Sequence, residues 1–222
     1  LGKETQYVSK YDKSLIFPIE RAGNRARLNM AKSRVNSELP FFGEDIWTGY
    51  EISWLNPKGK PQVAIAEFTI PAQSRNIVES KSFKLYLNSF NHTKLPHRDD
   101  LQKTLQQDLS IGFGSEIKVA LFAVDAFPVD DVSLGENIDD LDVEIDEYQP
   151  NVKLLKVNAA ECITETLNSH LLKSNCPVTS QPDWATIVVK YKGSELDKAA
   201  LLKYIISYRN HDDFHEHCVE QI

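Results

Sequence analysis

The chain has 222 residues, of which 41% are hydrophobic, 26% are charged and three are cysteines. This composition suits one large domain or two small ones and excludes wholesale disorder. The net charge of −7 argues against a nucleic-acid binder with a broad basic surface, and three cysteines are too few for a secreted disulfide framework. No apolar run reaches the roughly 18 residues of a membrane helix, and no signal peptide is visible. We expect a cytoplasmic protein whose natural start is missing, since the chain begins at Leu1 and its only methionine is Met30.

The first half of the chain predicts two strands, two helices and a further strand. β-branched and aromatic residues mark the strands, and a loop that contains proline and glycine joins the first two as a hairpin. Apolar residues at helical spacing mark the helices, the second of which shows leucines at every fourth position. The predicted elements are strands at 46–55, 62–70 and 117–124, a helix over 82–90, and a helix after Pro96 that ends near Gly112 and Gly114.

The net negative charge comes from one acidic segment. Nine acidic residues and no Lys or Arg lie between Val129 and Tyr148, so the rest of the chain is close to neutral. Such a run is usually a solvated linker. At its end Leu141, Val143 and Ile145 alternate with acidic residues, which predicts a half-buried strand. We therefore expect an acidic connection with a strand at 129–150, between modules at 1–128 and 151–222.

The order of elements in the second module resembles that of the first. A strand or extended segment is predicted over 162–172, a polar loop over 173–184, and a strand over 185–191 that ends at Lys192-Gly193. A helix over 197–209 is followed by a break and by a second helix that starts near Phe214. The β-β-α-α order thus repeats, without a matching repeat of residues.

The polar loop contains the first candidate for chemistry. Cys176 stands beside Pro177 between two predicted strands, and Asp183 follows seven residues later between Pro182 and Trp184. A reaction that needs a thiolate nucleophile and a carboxylic acid as proton donor would use such a pair. The alternative is that Cys176 is a small buried residue and Asp183 a turn residue.

Three histidines and Cys218 lie within residues 211–218, which is a reason to consider zinc. Neither a Cys-x-x-Cys nor a His-Glu-x-x-His signature accompanies them. Asp213 and Glu216 have the spacing of a capping box, in which Glu216 would cap the last helix. His215 would then be a packed residue at the helix start.

The third candidate is residues 79–86, at the start of the first helix. Glu79 suits the positive end of a helix dipole and would then have only a structural role. Free backbone amides at this end, with Ser80 and Lys81 beside them, could instead hold a phosphate. A carboxylate can also accept two parallel hydrogen bonds from the amidine-like edge of a purine.

Taken together, these segments resemble one family. Residues 79–86 are similar to the octapeptide signature of the nitrile reductases of queuosine biosynthesis. Ser174-Asn175-Cys176 and Gln181-Pro182-Asp183-Trp184 resemble the catalytic loop of that family, and Phe214-His215-Glu216 with Cys218 resembles its substrate-binding helix start. The three motifs occur in the family's order and span nearly the whole chain. The similarity is greatest to the long, two-module form, which reduces 7-cyano-7-deazaguanine with NADPH.

The resemblance implies an α+β fold of two tandem tunnelling-fold modules, each a four-stranded antiparallel sheet with two helices on one face. It implies that Cys176 attacks the nitrile carbon to give a covalent thioimide and that Asp183 supplies protons. NADPH would deliver two hydrides to give the 7-aminomethyl product, with no metal. The second module would lack its C-terminal strands, because members of the family continue past Ile222 with a closing hairpin that contacts the cofactor.

The resemblance also assigns binding residues. Those that contact the deazaguanine would be Val78, Glu79, Ser80, His215 and Glu216. Those that contact NADPH would be Ser80, Lys81 and, more weakly, Lys84. The site would lie where the modules meet, in a homodimer, with no nucleic-acid or membrane partner. In some members the cysteine at the position of Cys218 pairs with the nucleophile on oxidation.

Two other functions stay open. A cysteine-dependent hydrolase or amidase would use Cys176 with His215 as base and would need no NADPH. A non-catalytic tunnelling-fold protein would hold a purine-like base through Glu79 and Glu216, and its binding would survive replacement of Cys176.

Overall fold

The structure is a computed structural model that describes residues 8–28, 39–128 and 134–222. The described residues divide into two compact units, an N-terminal unit before residue 129 and a C-terminal unit after residue 133. Both units combine helices with sheets that are mainly antiparallel, so the predicted α+β class is confirmed. The first five residues of the predicted acidic connection, 129–133, lie outside the described residues.

The N-terminal unit follows the predicted order of elements. Its main sheet has the strand order β2-β3-β5, and a separate two-stranded sheet pairs β1 with β4. The four-stranded sheet that the resemblance implies is therefore three-stranded in the part of this unit that the structure describes. The elements are β1 (Pro18–Glu20), α1 (Arg21–Arg27), β2 (Glu44–Leu55), β3 (Pro61–Pro71), β4 (Asn76–Val78), α2 (Ser80–Asn88), α3 (Arg98–Phe113) and β5 (Lys118–Phe122).

One face of the main sheet packs against α2 and α3 to form the core of this unit. Phe68 on β3, Tyr86 on α2 and Leu105 on α3 are fully buried there. Burial of such side chains stabilises each by about 1.5–3 kcal/mol relative to exposure. The helix α3 ends as predicted at Gly114, whose φ of 64° is left-handed and suits glycine.

The C-terminal unit is built on one long hairpin. The strands β7 (Val157–Asn175) and β8 (Pro182–Leu196) are antiparallel, and the two-residue strand β6 (Glu136–Asn137) pairs with β7 in parallel. The helices α4 (Lys198–Ser207) and α5 (His215–Gln221) follow, as predicted. A second, smaller core lies between the hairpin and α4, around Leu167, Leu202 and Tyr208.

The prediction of a strand at residues 141–145 is wrong. This stretch forms no ladder, although Val143 and Ile145 are less exposed than their neighbours and Val143 packs against the core. The strand that pairs in parallel with β7 is instead β6. The side chain of Asn168 on β7 holds this segment by accepting a hydrogen bond from the Asn137 side chain and donating one to the carbonyl of Leu134. The alternation of apolar residues therefore reflects packing without strand pairing.

Two boundaries in the hairpin also differ from the prediction. The loop is six residues long, 176–181, because Pro182 begins β8, a strand position that proline tolerates. The strand does not end at Lys192-Gly193 but continues to Leu196, because Gly193 stays paired with Ile163. Asp183 consequently lies on a strand and not in a loop.

No helix in the described parts of the chain is both long and apolar enough to cross a membrane.

Candidate active site

Cys176 lies at the first position of the hairpin loop. Its N–H donates to the carbonyl of Gln181 (2.8 Å), and its carbonyl accepts from the N–H of Ser180 (2.9 Å). Ser180 has a left-handed φ of 54°, which is uncommon for a residue with a side chain. The two hydrogen bonds close the loop and fix the backbone of Cys176, so the predicted polar loop is a compact turn.

The turn also surrounds the thiol with hydrogen-bond donors. Burial raises the pKa of Cys176, but hydrogen bonds from the Thr179 hydroxyl and from the N–H groups of Val178 and Thr179 lower it, and the net pKa lies below the ordinary value. The nearby Asp183 charge opposes this by raising the same pKa. A cysteine with a lowered pKa is a better candidate for a nucleophile than a structural cysteine.

Asp183 shares a face of β8 with the half-buried residues Ala185 and Ile187. Its Oδ2 lies 3.9 Å from Nε2 of His215, the first residue of α5. Both side chains are partly exposed, 40% for Asp183 and 46% for His215. The structure therefore brings together three of the predicted site residues: Cys176, Asp183 and His215.

Cys218 lies one turn further along α5 and differs from Cys176. Only 3% of it is exposed, and burial raises its pKa to about 11, against a hydrogen bond from Ser174. The charges of Asp213, Glu216 and Asp183 raise this pKa further. Both cysteines are free thiols, and their pairing on oxidation stays a prediction.

The start of α5 is not the predicted capping box. Phe214 precedes the helix, and the carboxylate of Asp213 accepts hydrogen bonds from the N–H of Phe214 and from Nδ1 of His217, both at 2.8 Å. The helix thus begins one residue later than the box requires. No group of three or more His, Cys, Asp or Glu side chains suited to a metal ion is found in the described residues.

Glu79 is the N-cap of α2, as its position at a helix start predicts. Its two carboxylate oxygens accept hydrogen bonds from the N–H of Lys81 (3.2 Å) and of Ser82 (2.7 Å). These amides are therefore not free to hold a phosphate, and that prediction is wrong. Because each carboxylate oxygen can accept two hydrogen bonds, Glu79 retains acceptor capacity for a ligand.

Phe17, which directly precedes β1, also holds the backbone of Glu79. The N–H of Glu79 donates to the carbonyl of Phe17 (3.0 Å), and the N–H of Phe17 donates to the Ser82 hydroxyl (3.1 Å). That hydroxyl donates in turn to the carbonyl of Glu79 (2.7 Å). The backbone on both sides of Glu79 is therefore fixed by Phe17 and Ser82.

The other predicted residues of this helix start differ in exposure. The side chain of Val78 is 1% exposed and packs in the core, so only its backbone could contact a ligand. Ser80, Lys81 and Lys84 are exposed. Ser80 and Lys84 line a groove of about 410 Å³ between α2 and β2, where Lys84 forms an exposed ion pair with Glu51 at 3.2 Å.

The predicted site residues therefore form two groups, one in each unit. The N-terminal group is Val78, Glu79, Ser80, Lys81 and Lys84, and the C-terminal group is Cys176, Asp183, His215, Glu216 and Cys218. Sequence reasoning missed Thr179 and the Asp213–His217 pair. A hydroxyl three residues after a loop cysteine was the available signal for the first, and the i, i+4 spacing of acid and histidine was the signal for the second.

Comparisons with known proteins agree with the order of the motifs. A family described as nitrile reductase, 7-cyano-7-deazaguanine-reductase N-term matches residues 7–121, and a family described as QueF-like protein matches residues 182–222. Proteins named NADPH-dependent 7-cyano-7-deazaguanine reductase are similar over this whole chain. Those of Bordetella avium and Chromohalobacter salexigens are each 52% identical, with 80% and 79% of their own lengths covered. That of Dechloromonas aromatica is 49% identical, with 78% covered.

Proposed function

The chain belongs to the nitrile reductase family, and on that premise we propose that it reduces 7-cyano-7-deazaguanine with NADPH to 7-aminomethyl-7-deazaguanine. The finer proposal is that the reaction passes through a covalent thioimide on Cys176 and serves tRNA queuosine biosynthesis. The observation that supports it is the hairpin turn that offers hydrogen-bond donors to the thiol of Cys176, with Asp183 on β8 paired to Ser174, two residues before Cys176.

Cys176 is the nucleophile in this proposal. The hydrogen bonds from Thr179 and from the turn backbone stabilise its thiolate, which is the reactive form. As Sγ bonds to the nitrile carbon, one π bond of the nitrile breaks and the nitrogen takes up a proton. The thioimide carbon that results is an electrophile able to accept hydride.

Asp183 is the proton donor. Its carboxylate accepts the proton that the Cys176 thiol gives up, and the resulting carboxylic acid passes that proton to the nitrile nitrogen, next to the carbon that sulfur attacks. Nε2 of His215 lies 3.9 Å from Oδ2 of Asp183, a separation that one bridging water would span, so the two groups can exchange a proton through water as the substrate nitrogen becomes an amine. The nitrile-to-amine reduction takes up two hydrides, so protons must be supplied more than once.

The residues proposed to recognise the deazaguanine are Val78, Glu79, Ser80, His215 and Glu216. Glu79 can accept N–H groups of the base on the lone pairs that its helix leaves unused. Glu216 lies in the first turn of α5, next to His215. Val78 would contribute through its backbone and Ser80 through its exposed hydroxyl.

The residues beside Glu79 fit a phosphate-bearing cofactor. Ser80, Lys81 and Lys84 are exposed, and the ion pair of Lys84 with Glu51 lies in solvent, where such pairs stabilise by about 1 kcal/mol or less. These side chains would hold NADPH, which supplies hydride when bound. Lys84 can exchange Glu51 for a phosphate oxygen at small cost.

The test is a mass measurement without cofactor. Mixing the protein with 7-cyano-7-deazaguanine alone should add the full mass of the nitrile to the chain, and peptide mapping should place it on Cys176. Cys176→Ala should form no adduct and should not consume NADPH. Cys162→Ala is the matched control, because Cys162 is an exposed free thiol outside the hairpin turn, and it should behave as the unmodified chain.

Other outcomes would indicate the two alternative functions. Release of an amide or acid from the nitrile or from model esters, with no need for NADPH, would indicate a cysteine hydrolase. Binding of the base that is unchanged in Cys176→Ala, with no reaction in either protein, would indicate a non-catalytic purine-binding protein. The homodimer, the cytoplasmic location and the role in queuosine biosynthesis stay predictions.

A further inference from the structure

Two segments that carry proposed catalytic residues are joined by backbone hydrogen bonds. The N–H of Asn175 donates to the carbonyl of His211 (2.8 Å), and the carbonyl of Asn175 accepts from the N–H of Asp213 (3.1 Å). Asn175 directly precedes Cys176, and Asp213 stands two residues before His215. This bridge fixes the end of β7 against the chain that leads into α5.

The side chain of Asp213 extends the bridge into α5. Its Oδ1 accepts from the N–H of Phe214 and from Nδ1 of His217, each at 2.8 Å. A carboxylate only accepts, so Nδ1 of His217 carries the proton. Asp213 is 8% exposed and His217 is 4% exposed, so solvent competes little with these bonds.

His217 is unusual because its second ring nitrogen is not satisfied. Nε2 is buried and has no hydrogen-bond partner among the described residues. A buried polar atom without a partner costs about 1–3 kcal/mol, which an apolar side chain at this position would avoid. Because burial of Nε2 makes histidine a costly residue at this position, the reason for its presence is sought in its other ring nitrogen, Nδ1, which bonds to Asp213.

We infer that Asp213 and His217 form a clamp that positions the start of α5 against the catalytic hairpin. This inference rests on the proposed function. The clamp holds His215 at 3.9 Å from Asp183 and keeps Glu216 in the first turn beside it. Asp213 and His217 are positioning residues, since neither side chain is assigned a contact with the substrate.

The proposed chemistry is sensitive to such positioning. Sulfur must bond to the nitrile carbon while the proton of Asp183 reaches the adjacent nitrogen, so both groups act on neighbouring atoms at once. A displacement of about 1 Å can slow such a reaction by on the order of a hundredfold. A shift of α5 would move His215 and Glu216 together relative to Asp183.

The experiment measures the rate of adduct formation on Cys176 with saturating 7-cyano-7-deazaguanine and no NADPH. Asp213→Ala should slow it by roughly 30-fold, because the hydrogen bonds from Phe214 and His217 are lost. Asp213→Asn should stay within about threefold of the unmodified chain, because its amide oxygen can still accept both N–H groups. Asp212→Ala is the matched control: this neighbouring acid is exposed, and the rate should not change.

His217→Leu tests the clamp without removing the acid. Leucine suits the buried position, so the protein should fold, while Asp213 loses its donor and the adduct rate should fall about tenfold. Alkylation of Cys176 by iodoacetamide should keep its rate in every variant, because that reaction does not need α5. A general structural defect would change the alkylation rate as well.

Several results would overturn the inference. Unchanged adduct rates in both Asp213→Ala and His217→Leu would exclude a positioning role, and an equal loss in Asp213→Asn and Asp213→Ala would indicate an effect of charge instead. If the unmodified chain itself forms no adduct, the proposed function fails and the inference fails with it. An adduct in the unmodified chain with no effect of the variants would leave the proposed function intact and refute the clamp alone.

Discussion

The two units hold their proposed substrate-binding glutamates in different ways. In the N-terminal unit, Glu79 is fixed by hydrogen bonds to the helix that it caps and to Phe17. In the C-terminal unit, Glu216 and His215 start a short helix whose position depends on contacts with Asn175 and on Asp213. The carboxylate of Glu79 bonds only to amides of the helix that it caps, whereas the start of α5 depends also on the backbone of Asn175, more than 30 residues away.

This difference separates two kinds of organisation. A local cap stabilises the fold and orients a ligand group with the same atoms, so changes at Glu79 should affect stability and binding together. The long-range contacts of the C-terminal unit surround the proposed nucleophile on the hairpin turn and the proposed proton donor on β8, so changes there should affect chemistry more than stability. Four predictions test this contrast.

The largest effect is expected for Asp183→Asn. Loss of the proton donor should slow adduct formation by about 10²–10⁴-fold. The same change removes the negative charge that raises the pKa of Cys176, so alkylation of the thiol near neutral pH should become faster. Stopped reactions analysed by mass would give both rates. Slower alkylation together with slower adduct formation would indicate a disturbed turn and would contradict the role of Asp183 as proton donor.

Two substitutions at Glu79 separate its cap from its ligand contact. Glu79→Ala should lower the free energy of unfolding by about 1 kcal/mol and raise the KM for the nitrile by roughly 10–100-fold, because it removes both interactions. Glu79→Asp keeps a good capping residue but withdraws the carboxylate by one methylene group. It should raise KM with little change in stability. The measurements are urea unfolding and steady-state kinetics.

An unchanged KM in Glu79→Asp would contradict the assignment of Glu79 to the substrate. Equal losses of stability in both variants would show that the cap depends on the full length of the side chain.

Thr179→Val should have a smaller effect, confined to the thiol. Loss of the hydroxyl hydrogen bond should raise the pKa of Cys176, so the pH midpoint of alkylation should move upward, while unfolding in urea should not change. Thr179→Ser retains a hydroxyl and is the matched control. A midpoint that does not move would mean that the backbone N–H groups alone stabilise the thiolate.

The smallest effect is expected at Tyr11, which is 40% exposed and packs against Phe90 of the N-terminal core. The hydroxyls of Tyr11 and Tyr86 both donate to Oδ2 of Asp108, at 2.7 and 2.8 Å. Burial, with help from the neighbouring Asp108, raises the pKa of Tyr11 to about 12. The protonated Tyr11 hydroxyl therefore contributes fully to the free energy of unfolding below pH 10, and this contribution is lost as pH rises from about 10 to 12.

Tyr11→Phe should cost about 1 kcal/mol of stability at neutral pH and should weaken the loss of stability at alkaline pH. Urea unfolding at several pH values would measure both, and turnover near neutral pH should not change. An unaltered alkaline transition would assign it to Tyr86, whose pKa is raised in the same direction.

Much of this architecture follows from local patterns. Apolar spacing predicted α2, α3 and α4, and β-branched residues predicted β2, β3 and β8, because these periods are set by the core that each element covers. The alternation at 141–145 misled because the same period arises in an extended chain that packs without pairing. Whether an extended segment pairs with a strand depends on residues distant in sequence. Here the side chain of Asn168 on β7 bonds to residues 134 and 137, so that β6, and not 141–145, pairs with β7.

The candidate site divides in the same way. The structural role of Glu79 could be predicted as one of two alternatives, because an acid suits the positive end of a helix dipole. The donors around Cys176 could not, because they depend on the left-handed φ of Ser180 and on the closing bonds of the turn. The Asp213–His217 pair was not predicted, because the sequence suggested that Asp213 was the N-cap of α5. The N-cap is instead Phe214, one residue later.

The self-capped start of α2 has a consequence for the effect of salt. Glu79 takes up the N–H groups of Lys81 and Ser82. In the proposed function, its remaining acceptors would bind a neutral base, and the exposed lysine side chains would bind phosphate. Charges in solvent are screened within about 8 Å at physiological ionic strength, whereas hydrogen bonds to a neutral base are not. Added salt should therefore weaken the cofactor's hold on this unit while leaving affinity for the base nearly unchanged.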